Sequence, residues 1–351
     1  MACALGCSGN AGTSGSTAGS DAAADSPGAA SNDPADPGTD DESSPTVDAS
    51  SAFDGGSSGS STPDAARERD GAAEPDAGRG ESEAGRSESD GGSSSTPTQV
   101  PAGWKLALDE DFTGSSLDKY WNMGTNQGSF AYGGTTYYDC WIPAESEYPT
   151  ASMVAVADST LGLSVMASAS PVVGDQGTKS YISGYVNTYG NFAFQYGYIE
   201  IRAELPAAEA GSMTGLWPAL WLFDSTYASQ DEIDIVESFG GDQTSIGMTV
   251  HNAAINKTNS TGDQVVVKIT PGYHVFGALH QASSVSFYVD DKLEKTFDDA
   301  LPGTLAINLG MQLGNASMGW ISGPEPSNWG SGTHGAHAPD LNVDWVHVWT
   351  P

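Results

Sequence analysis

Three carboxylate residues, Glu232, Asp234 and Glu237, lie close together in the run EIDIVE, whose other residues are apolar. Side chains on a strand alternate between its two faces, so Glu232 and Asp234 share one face and Glu237 is expected on the other. A β-bulge with one inserted residue, at Ile235 or Val236, brings Glu237 back to the face of the other two. The spacing therefore predicts a bulged strand whose three carboxylates face one cleft.

Such a row of carboxylates suits the hydrolysis of a glycosidic bond with retention of configuration. In that reaction one carboxylate attacks the sugar, and a second, protonated carboxyl group acts first as acid and then as base. Asp234 has the central position, where a third carboxyl group keeps the pKa values of its neighbours apart because like charges held together disfavour ionisation. For three carboxylates alone, a solvated acidic strand face is an equal alternative, and the tryptophans nearby weigh against it.

Two tryptophans precede the carboxylates in the segment WPALWLF. On a strand, Trp217, Ala219 and Trp221 share one face, while Leu220 and Leu222 share the other. The small alanine between two indoles leaves a trough in which sugar rings can stack, and the leucine face is expected to bury against a second sheet. Burial of both tryptophans in the core is the alternative interpretation.

Composition divides the chain near residue 100. Residues 1–100 contain one aromatic residue, Phe53, no lysine, and 18 acidic residues against four arginines. A segment so poor in large apolar groups cannot offset its ordering entropy by burial. We therefore expect residues 1–100 to be a disordered acidic tether rich in Ser, Gly, Ala and Pro. Residues 101–351, which hold all nine tryptophans, are expected to be one catalytic domain.

The net charge of −33 excludes some partners. Nucleic acid is an unsuitable partner, because binding it requires a basic surface that neutralises phosphates. Residues 101–351 contain one arginine, Arg202, whereas bidentate arginines are the usual means of binding carboxylate or sulfate groups. The sequence therefore favours a neutral polysaccharide as the partner.

The cysteines give no disulfide framework, because Cys140 has no partner inside the domain. The first residues, MACALGC, resemble the end of a bacterial lipoprotein signal whose preceding apolar segment is missing; a chance Ala/Gly/Cys-rich start is the alternative. With a lipid on Cys7, the tether would hold the domain at the bacterial cell surface. The expected location is thus extracellular or at the cell surface, and the sequence contains no membrane span.

From Trp104 onwards, short apolar alternations are separated by Gly, Asn, Asp and Pro, which is the pattern of an all-β protein. No long window shows helical periodicity. We expect a monomeric jelly-roll β-sandwich of two antiparallel sheets. Strands are predicted at 161–167, 181–187, 196–205, 244–251, 264–270, 284–290, 305–313 and 341–349.

The succession of WPALWLF and DEIDIVE resembles glycoside hydrolase family 16, in the branch with the E-x-D-x-x-E signature that contains laminarinases and other β-glucanases, agarases and carrageenases. Further blocks extend the resemblance over most of residues 104–350: LDEDFTGSSLDKYW, YISGYVNTYGNFAFQYGYIEIRAELP, SFYVDD and VDWVHVW. The resemblance implies a jelly roll with an open cleft on its concave face. It implies that Glu232 is the nucleophile, Asp234 its modulator and Glu237 the acid/base.

The resemblance also suggests which residues contact the substrate. Trp217 and Trp221 match the family's sugar-stacking tryptophans, and His251 matches a histidine beside the acid/base. Two departures from the family pattern, Tyr185 in place of an arginine and Gln312 in the block INLGMQLG, are expected near the cleft. Trp320, or alternatively Trp329, lies in a long Gly/Ser/Pro-rich loop and is expected to cap one end of it. The expected substrate-binding residues are thus Trp217, Trp221, His251, Tyr185, Gln312 and Trp320.

No cofactor is required for this chemistry. The resemblance implies a structural calcium ion on the convex face, with Asp111 and Asp344 at its acidic positions. His334 and His337 are spaced closely enough for a metal pair, but no Cys or carboxylate is near them in sequence, so two solvent-exposed histidines are the favoured interpretation. His280 stands where the family usually has a tryptophan.

These features predict a retaining endo-β-glycanase that hydrolyses a neutral β-glucan with β-1,3 or mixed β-1,3/1,4 linkages. The alternatives are an agarase-like or carrageenase-like activity, a transglycosylase, and a non-catalytic surface protein that binds carbohydrate. The single arginine weighs against sulfated substrates. The crowded carboxylates weigh against a pure binding protein, which has no use for groups that repel each other.

Overall fold

The computed structural model describes residues 96–206, 215–239, 244–252, 263–299, 301–324, 331–332, 335–336 and 339–351. Regular structure in these residues is almost entirely β, with two short 3-10 helices at Ala151–Met153 and Ala316–Met318. Within these ranges no helix has the length and apolar character needed to cross a membrane. The strands are β1 (Lys105–Glu110), β2 (Asn122–Met123), β3 (Ser129–Tyr132), β4 (Thr135–Tyr138), β5 (Glu147–Pro149), β6 (Val154–Ala157), β7 (Thr160–Gly174), β8 (Gly177–Ser183), β9 (Tyr185–Asn187), β10 (Gly197–Glu204), β11 (Leu216–Asp224), β12 (Glu232–Glu237), β13 (Ser245–His251), β14 (Asp263–Lys268), β15 (Tyr273–Gln281), β16 (Ser284–Val289), β17 (Lys292–Phe297), β18 (Leu305–Leu313), β19 (Ser331–Gly332), β20 (Gly335–Ala336) and β21 (Asp340–Thr350).

Two large sheets contain most of the strands. Sheet A has ten strands in the order β17-β16-β15-β10-β21-β7-β8-β5, with β1 paired to β21 and β6 to β7. Sheet B has seven strands in the order β14-β13-β12-β11-β18-β9-β2. Neighbouring strands are antiparallel except for the parallel pair β5 and β8. The predicted all-β fold of two antiparallel sheets is confirmed.

The core lies between the two sheets. Leu220 and Leu222 on β11 are fully buried in one apolar cluster together with Ile199, Ile201 and Phe276 from β10 and β15 of sheet A. This confirms that the leucine face of β11 packs against a second sheet. The opposite face of β11, with Trp217 and Trp221, therefore points away from sheet A.

The chain passes from one sheet to the other at Gly184, which corrects the single strand predicted at 181–187. β8 ends at Ser183 in sheet A, and β9 begins at Tyr185 in sheet B. A Cβ atom on Gly184 would lie 2.2 Å from the carbonyl oxygen of Met153, which is backbone and cannot move aside easily. Glycine is required at this crossing because only a residue without a side chain fits there. The crossing delivers Tyr185 to sheet B.

The folded part includes residues that composition assigned to the tether. Val100 is 9% exposed and packs with Tyr198, Leu279 and Trp349. Cys7 and the rest of 1–95 lie outside the described residues, so the tether and the lipid anchor stay predictions. Cys140 is a free and buried thiol.

His280 is fully buried at the end of β15, with its ring edge-on to Tyr196 at a centroid distance of 5.2 Å. Burial lowers the pKa of His280 to about 4 from the usual histidine value of 6.5. Between pH 6.5 and pH 4 the imidazole of His280 binds a proton in the unfolded chain but not in the folded protein. The free energy of unfolding therefore decreases as the pH falls from 6.5 through 4. The full loss is about 3 kcal/mol, at roughly 1.4 kcal/mol per pKa unit.

We therefore expect the unfolding free energy of His280→Phe to fall less on acidification than that of the unaltered protein. The two profiles should run parallel above pH 7 and separate below it by up to about 3 kcal/mol. Urea unfolding at a series of pH values measures both profiles. Parallel profiles down to pH 4 would contradict a neutral, buried His280.

Candidate active site

The bulge predicted from the carboxylate spacing is present in β12. Ala219 faces Glu237 and Trp221 faces Asp234, so β12 has one residue more than β11 over this stretch. The same irregularity occurs against β13 between Asp234 and Glu237. Ile235 is the residue without a partner on β11. The insertion changes the alternation, as predicted, and allows Glu237 to join Asp234 on the side of sheet B that faces away from sheet A.

Hydrogen bonds join the carboxylates into one row. The carboxyl group of Asp234 is hydrogen-bonded to both Glu232 and Glu237. The indole Nε1–H of Trp217 donates to Glu237 Oε1 at 3.1 Å, and His251 Nε2 lies 2.9 Å from Asp234 Oδ2. Asp234 and Glu237 are 1% and 6% exposed, whereas Glu232 is more open to solvent. We call the side of sheet B that carries Glu232, Asp234 and Glu237 the carboxylate face.

Burial and mutual repulsion raise the pKa values of all three groups. Burial, followed by the charge of Asp234, raises the pKa of Glu232 well above its usual range. Burial and the charge of Glu237 do the same for the pKa of Asp234. Burial also raises the pKa of Glu237, against the lowering effects of His251 and of the Trp217 hydrogen bond. The row therefore retains a proton at a pH at which isolated carboxyl groups have lost theirs, as acid catalysis requires.

The two predicted sugar-stacking tryptophans lie on the carboxylate face but are largely covered. Trp217 is 6% exposed, and its ring centroid lies 4.9 Å from that of Trp320, with the planes nearly perpendicular, and 5.8 Å from that of Phe239. Trp221 is 3% exposed, and its ring centroid lies 4.7 Å from that of Trp141, again with nearly perpendicular planes. The expected open trough over Trp217 and Trp221 is thus wrong, because aromatic side chains from other segments cover both indoles. Trp320 and Trp141 are the partly exposed rings.

Tyr185 and Gln312 are near the carboxylate face, as expected, but their side chains are buried beneath its surface. Tyr185 is 1% exposed and its hydroxyl donates to Asn308 Oδ1 at 3.3 Å. Gln312 is 3% exposed, lies opposite Trp217 in the register, and donates to Glu145 Oε1 at 3.3 Å. Direct substrate contact by either residue is therefore not supported by the structure, since both are buried and engaged within the protein.

His251 and Trp320 both lie near the carboxylate row, His251 opposite Glu232 and Trp320 beside Trp217. His251 pairs with Glu232 across the strands and contacts Asp234. Trp320 meets Phe239 edge-on at 5.3 Å beside Trp217, so it borders the carboxylate face on the Glu237 side. Contact of these side chains with substrate stays a prediction. Trp329, His334 and His337 lie outside the described residues.

The two aspartates of the predicted calcium site have other partners. Asp344 forms an ion pair with Arg202, whose guanidinium lies over the ring of Tyr273 at 4.4 Å. Asp111 lies 3.1 Å from His347 Nε2, which is also 3.2 Å from Asp109. The prediction that Asp111 and Asp344 together hold calcium is therefore not supported, because the guanidinium already neutralises Asp344.

Residues 150–346 match the sequence profile of Glycosyl hydrolases family 16. The chain belongs to this family. The family match includes the bulged strand and both neighbouring strands, so the carboxylate row lies inside it.

Curated relatives cover only parts of the chain. Endo-1,3-1,4-beta-glycanase EglC of Rhizobium meliloti is 27% identical over 247 residues, 70% of this chain and 50% of the relative. Glucan endo-1,3-beta-glucosidase A1 of Niallia circulans is 30% identical over 220 residues, 57% of this chain and 30% of the relative. A beta-1,3-glucan-binding protein of Penaeus monodon is 29% identical over 168 residues, 43% and 42% of the two chains. The chain thus spans half or less of the length of these relatives.

Solved structures of family 16 proteins share the fold. The laminarinase catalytic domain of Thermotoga maritima MSB8 superimposes with a TM-score of 0.56 at 23% identity, covering 71% of this chain and 98% of the other. The endo-beta-1,3-glucanase of Pyrococcus furiosus gives 0.57 at 24% identity, covering 70% and 94%. These likenesses confirm the jelly-roll β-sandwich.

Several aromatic residues beside the row were missed by the sequence analysis. Trp141, Tyr189 and Tyr227 border it near Glu232, and Phe239 borders it near Glu237. Each lies in a stretch of sequence without a regular apolar pattern, where an aromatic residue is a weak signal of a binding surface. Only the fold brings these residues to the same face of sheet B.

The hydrogen bond between Trp217 and Glu237 gives this family 16 site a testable pH dependence. A donor to the carboxylate favours its charged form, so loss of the indole N–H in Trp217→Phe raises the pKa of Glu237 further. The acid stays protonated to higher pH, and the basic limb of the kcat/KM profile should move to higher pH. Trp221→Phe is the matched control, because it removes an indole that does not bond to Glu237. An unmoved limb in Trp217→Phe, or a limb at lower pH, would contradict this.

Proposed function

We propose that this protein is a retaining endo-β-glucanase that hydrolyses a β-1,3 or mixed β-1,3/1,4 glucan by double displacement. The observation that carries the proposal is the β12 bulge, which gives Glu232, Asp234 and Glu237 one face and one hydrogen-bonded row. A nucleophile and a proton donor side by side are what the reaction needs. Two relatives, an endo-1,3-1,4-beta-glycanase and a glucan endo-1,3-beta-glucosidase, support the substrate class.

In the proposed mechanism, Glu232 attacks the anomeric carbon while Glu237 protonates the departing glycosidic oxygen. Glu237 then removes a proton from water, which hydrolyses the glycosyl-enzyme ester on Glu232. Asp234, hydrogen-bonded to both, keeps a proton within the row, and His251 fixes the orientation of Asp234. Trp217 orients the carboxyl group of Glu237. The chain supplies every group for these steps, so no cofactor takes part.

Charge supports a neutral substrate. Arg202 is on β10 of sheet A, in an ion pair with Asp344. It is therefore not available to bind sulfate groups of a polymer on the carboxylate face of sheet B. The carboxylates themselves repel an anionic chain. This favours a β-glucan over a carrageenan.

We further propose that the protein acts outside the cell, with the residues that precede 96 as a tether and with lipid on Cys7. The lipoprotein-like start MACALGC and the acidic Ser/Gly/Ala/Pro-rich segment after it support this location. Mass spectrometry of the N-terminal peptide from membrane fractions tests the anchor. A diacylglyceryl mass on Cys7 is expected, and an unmodified Cys7 in a cytosolic fraction would contradict the proposal.

The proposed activity is tested by measuring reducing-sugar release and product masses for the full chain on laminarin, lichenan, agarose and κ-carrageenan. Release of oligosaccharides from laminarin or lichenan, lost in Glu232→Gln, is the expected result. Release from agarose or carrageenan alone would overturn the substrate but keep the catalytic residues. Binding of a glucan without any release would instead support a non-catalytic carbohydrate-binding protein.

A further inference from the structure

We propose that His347, Asp109 and Asp111 bind a zinc ion on the side of sheet A that points away from sheet B. We call this side the outer face of sheet A. The zinc ion would hold strand β1 against strand β21, on the sheet that does not carry the catalytic row. Zinc binding there is independent of the proposed function, because none of the three residues takes part in glycoside hydrolysis.

The alternation of side chains on β1 and β21 places the three residues on the outer face. The residues on either side of His347 are fully buried in the core between the two sheets, so His347 points outward. Leu108 and Glu110 are buried on the inner side of β1, so Asp109 and Asp111 point outward as well. Asp109 is the residue directly opposite His347 in the register of the two strands. Pairing of the first and last long strands therefore brings the three side chains together.

The ligand atoms lie close to the separations found in a zinc coordination shell. His347 Nε2 is 3.2 Å from Asp109 Oδ1 and 3.1 Å from Asp111 Oδ1. One ligand atom from each of the three residues lies within 4.8 Å of the other two. Zinc bonds of about 2.0–2.2 Å at tetrahedral angles separate neighbouring ligand atoms by roughly 3.3–3.5 Å. A small adjustment of two side chains thus completes three corners of a tetrahedron, and water can occupy the fourth.

Charge at this cluster favours a divalent cation. Asp109 and Asp111 both direct a carboxylate oxygen at the same nitrogen of His347. That nitrogen carries one proton at most, so it cannot serve both carboxylates fully. A protonated imidazole balances only one of the two negative charges, whereas a zinc ion balances both and removes the repulsion between them.

The imidazole of His347 is held in a fixed orientation. Its side chain is 8% exposed. Trp345 stacks on the ring at a centroid distance of 4.3 Å with 7° between the planes, and Trp349 meets it nearly perpendicularly at 5.8 Å. The side chains of Asp109 and Asp111, by contrast, are 60% and 57% exposed. A rigid nitrogen ligand beside two accessible carboxylates gives an ion an open path from solvent.

The chain around Asp111 is also fixed. The next residue, Phe112, has φ 47° and is buried in the core. Glu110 Oε1 accepts a hydrogen bond from the Phe112 backbone N–H at 2.8 Å, and Glu110 Oε2 accepts one from Trp121 Nε1–H at 3.0 Å. These contacts order the end of β1 before any ion binds, so the cost of assembling the ligands is small.

The donor set selects zinc over calcium. Calcium in proteins takes about six to eight oxygen ligands, whereas an imidazole nitrogen with carboxylates suits zinc. The calcium position that the family resemblance implied used Asp344, which pairs with Arg202 instead. Asp111, the other residue of that expectation, faces His347. In this chain the acidic residues at the end of β1 therefore belong to a different kind of metal site.

The test is calorimetric titration of zinc chloride into full-length protein that has been freed of metal with EDTA and dialysed. We expect one zinc ion to bind in a manner that depends on His347. His347→Ala, and the double variant Asp109→Asn with Asp111→Asn, should each weaken this binding at least about 100-fold, more than loss of an outer-shell partner costs. Asparagine keeps the shape of the exposed aspartates, so the double variant should fold normally.

Urea unfolding gives a second readout. Zinc at about 100 times its Kd should lower the unfolding equilibrium constant of the unaltered protein about 100-fold, because the ion binds the folded state. The unfolding constants of the His347→Ala protein and of the double variant should stay nearly unchanged. Calcium chloride at the same concentration should have no comparable effect on any of these proteins.

Two histidine variants serve as controls. His274 pairs with a single carboxylate, Asp290, at 2.6 Å, so His274→Ala should keep zinc binding. His251 lies with Glu232 and Asp234 at distances that could also hold a metal, and His251→Ala should likewise keep it. Zinc binding that is lost in His251→Ala but kept in His347→Ala would overturn the proposal. No zinc binding by the unaltered protein, or displacement of zinc by an equal concentration of calcium, would overturn it as well.

Discussion

Glu232→Gln is expected to lower kcat on the cleaved glucan by more than about 10⁴-fold, the scale seen when a catalytic nucleophile is removed. Glutamine keeps the size and hydrogen-bonding capacity of glutamate but cannot form the glycosyl ester. Steady-state rates of reducing-sugar release measure the effect. Oligosaccharide affinity should remain, because the aromatic rings that border the row are unchanged.

Azide provides a sharper form of this experiment. With Glu232→Gly, the small anion can enter the vacated space and attack the anomeric carbon of an activated β-glucoside, which yields the α-glycosyl azide. Glu294→Gln is the control for loss of a glutamate charge, since Glu294 pairs with Lys292 at the surface of sheet A. Near-normal activity of Glu232→Gln, or a β-glycosyl azide from Glu232→Gly, would refute Glu232 as the nucleophile.

Glu237→Gln is expected to lower kcat/KM on the polymer about 10³-fold, within the range for loss of a general acid. The loss should be far smaller for a dinitrophenyl β-glucoside, whose leaving group departs without a proton. The loss of kcat/KM on the polymer, divided by the loss on the dinitrophenyl β-glucoside, distinguishes a defect in proton transfer from general damage to the site. Both losses are measured in parallel assays at the pH optimum of the unaltered protein.

Glu232→Gln is the matched comparison for Glu237→Gln, because loss of the nucleophile should affect both substrates. Equal losses on the polymer and on the activated substrate in Glu237→Gln would contradict its role as acid. The Glu237 side chain also accepts the Trp217 hydrogen bond. Glutamine can still accept this bond, so the local packing of Trp217 should persist.

Local periodicity made the carboxylate row and the leucine face predictable. The alternation of side chains on β11 and β12 follows from strand geometry alone. Glu237 is three residues after Asp234, so only an inserted residue can place it on the same face of the strand as Glu232 and Asp234. The structure has that residue at Ile235. The core-facing Leu220 and Leu222 followed from the same alternation.

Contacts between distant segments were not predictable in this way. Trp141 covers Trp221, and Trp320 covers Trp217, although neither covering residue is on the same strand or its immediate neighbours. Their approach depends on how loops fold over sheet B, and loop positions carry no periodic signal. The expected stacking trough was wrong for this reason.

The ion pair of Asp344 and the strand break at Gly184 could not be predicted from the sequence either. Asp344 has Arg202 as a partner because a bulge on β21 brings the two strands' side chains together. The break at Gly184 was hidden in a continuous run of strand-forming residues, and only the proximity of the Met153 carbonyl group requires glycine there. Each case depends on a residue that is distant in sequence, so a single chain read in order does not reveal it.

The most direct test of double displacement by Glu232 and Glu237 is the configuration of the first product. Proton NMR of laminari-oligosaccharide hydrolysis by the full chain, recorded before mutarotation, distinguishes the two anomers at the new reducing end. Two displacements at one carbon retain configuration, so the β-anomer should appear first and the α-anomer should grow in later by mutarotation. An α-anomer as the first product would mean a single displacement by water, and the roles of Glu232 and Glu237 derived from the bulged row would be wrong.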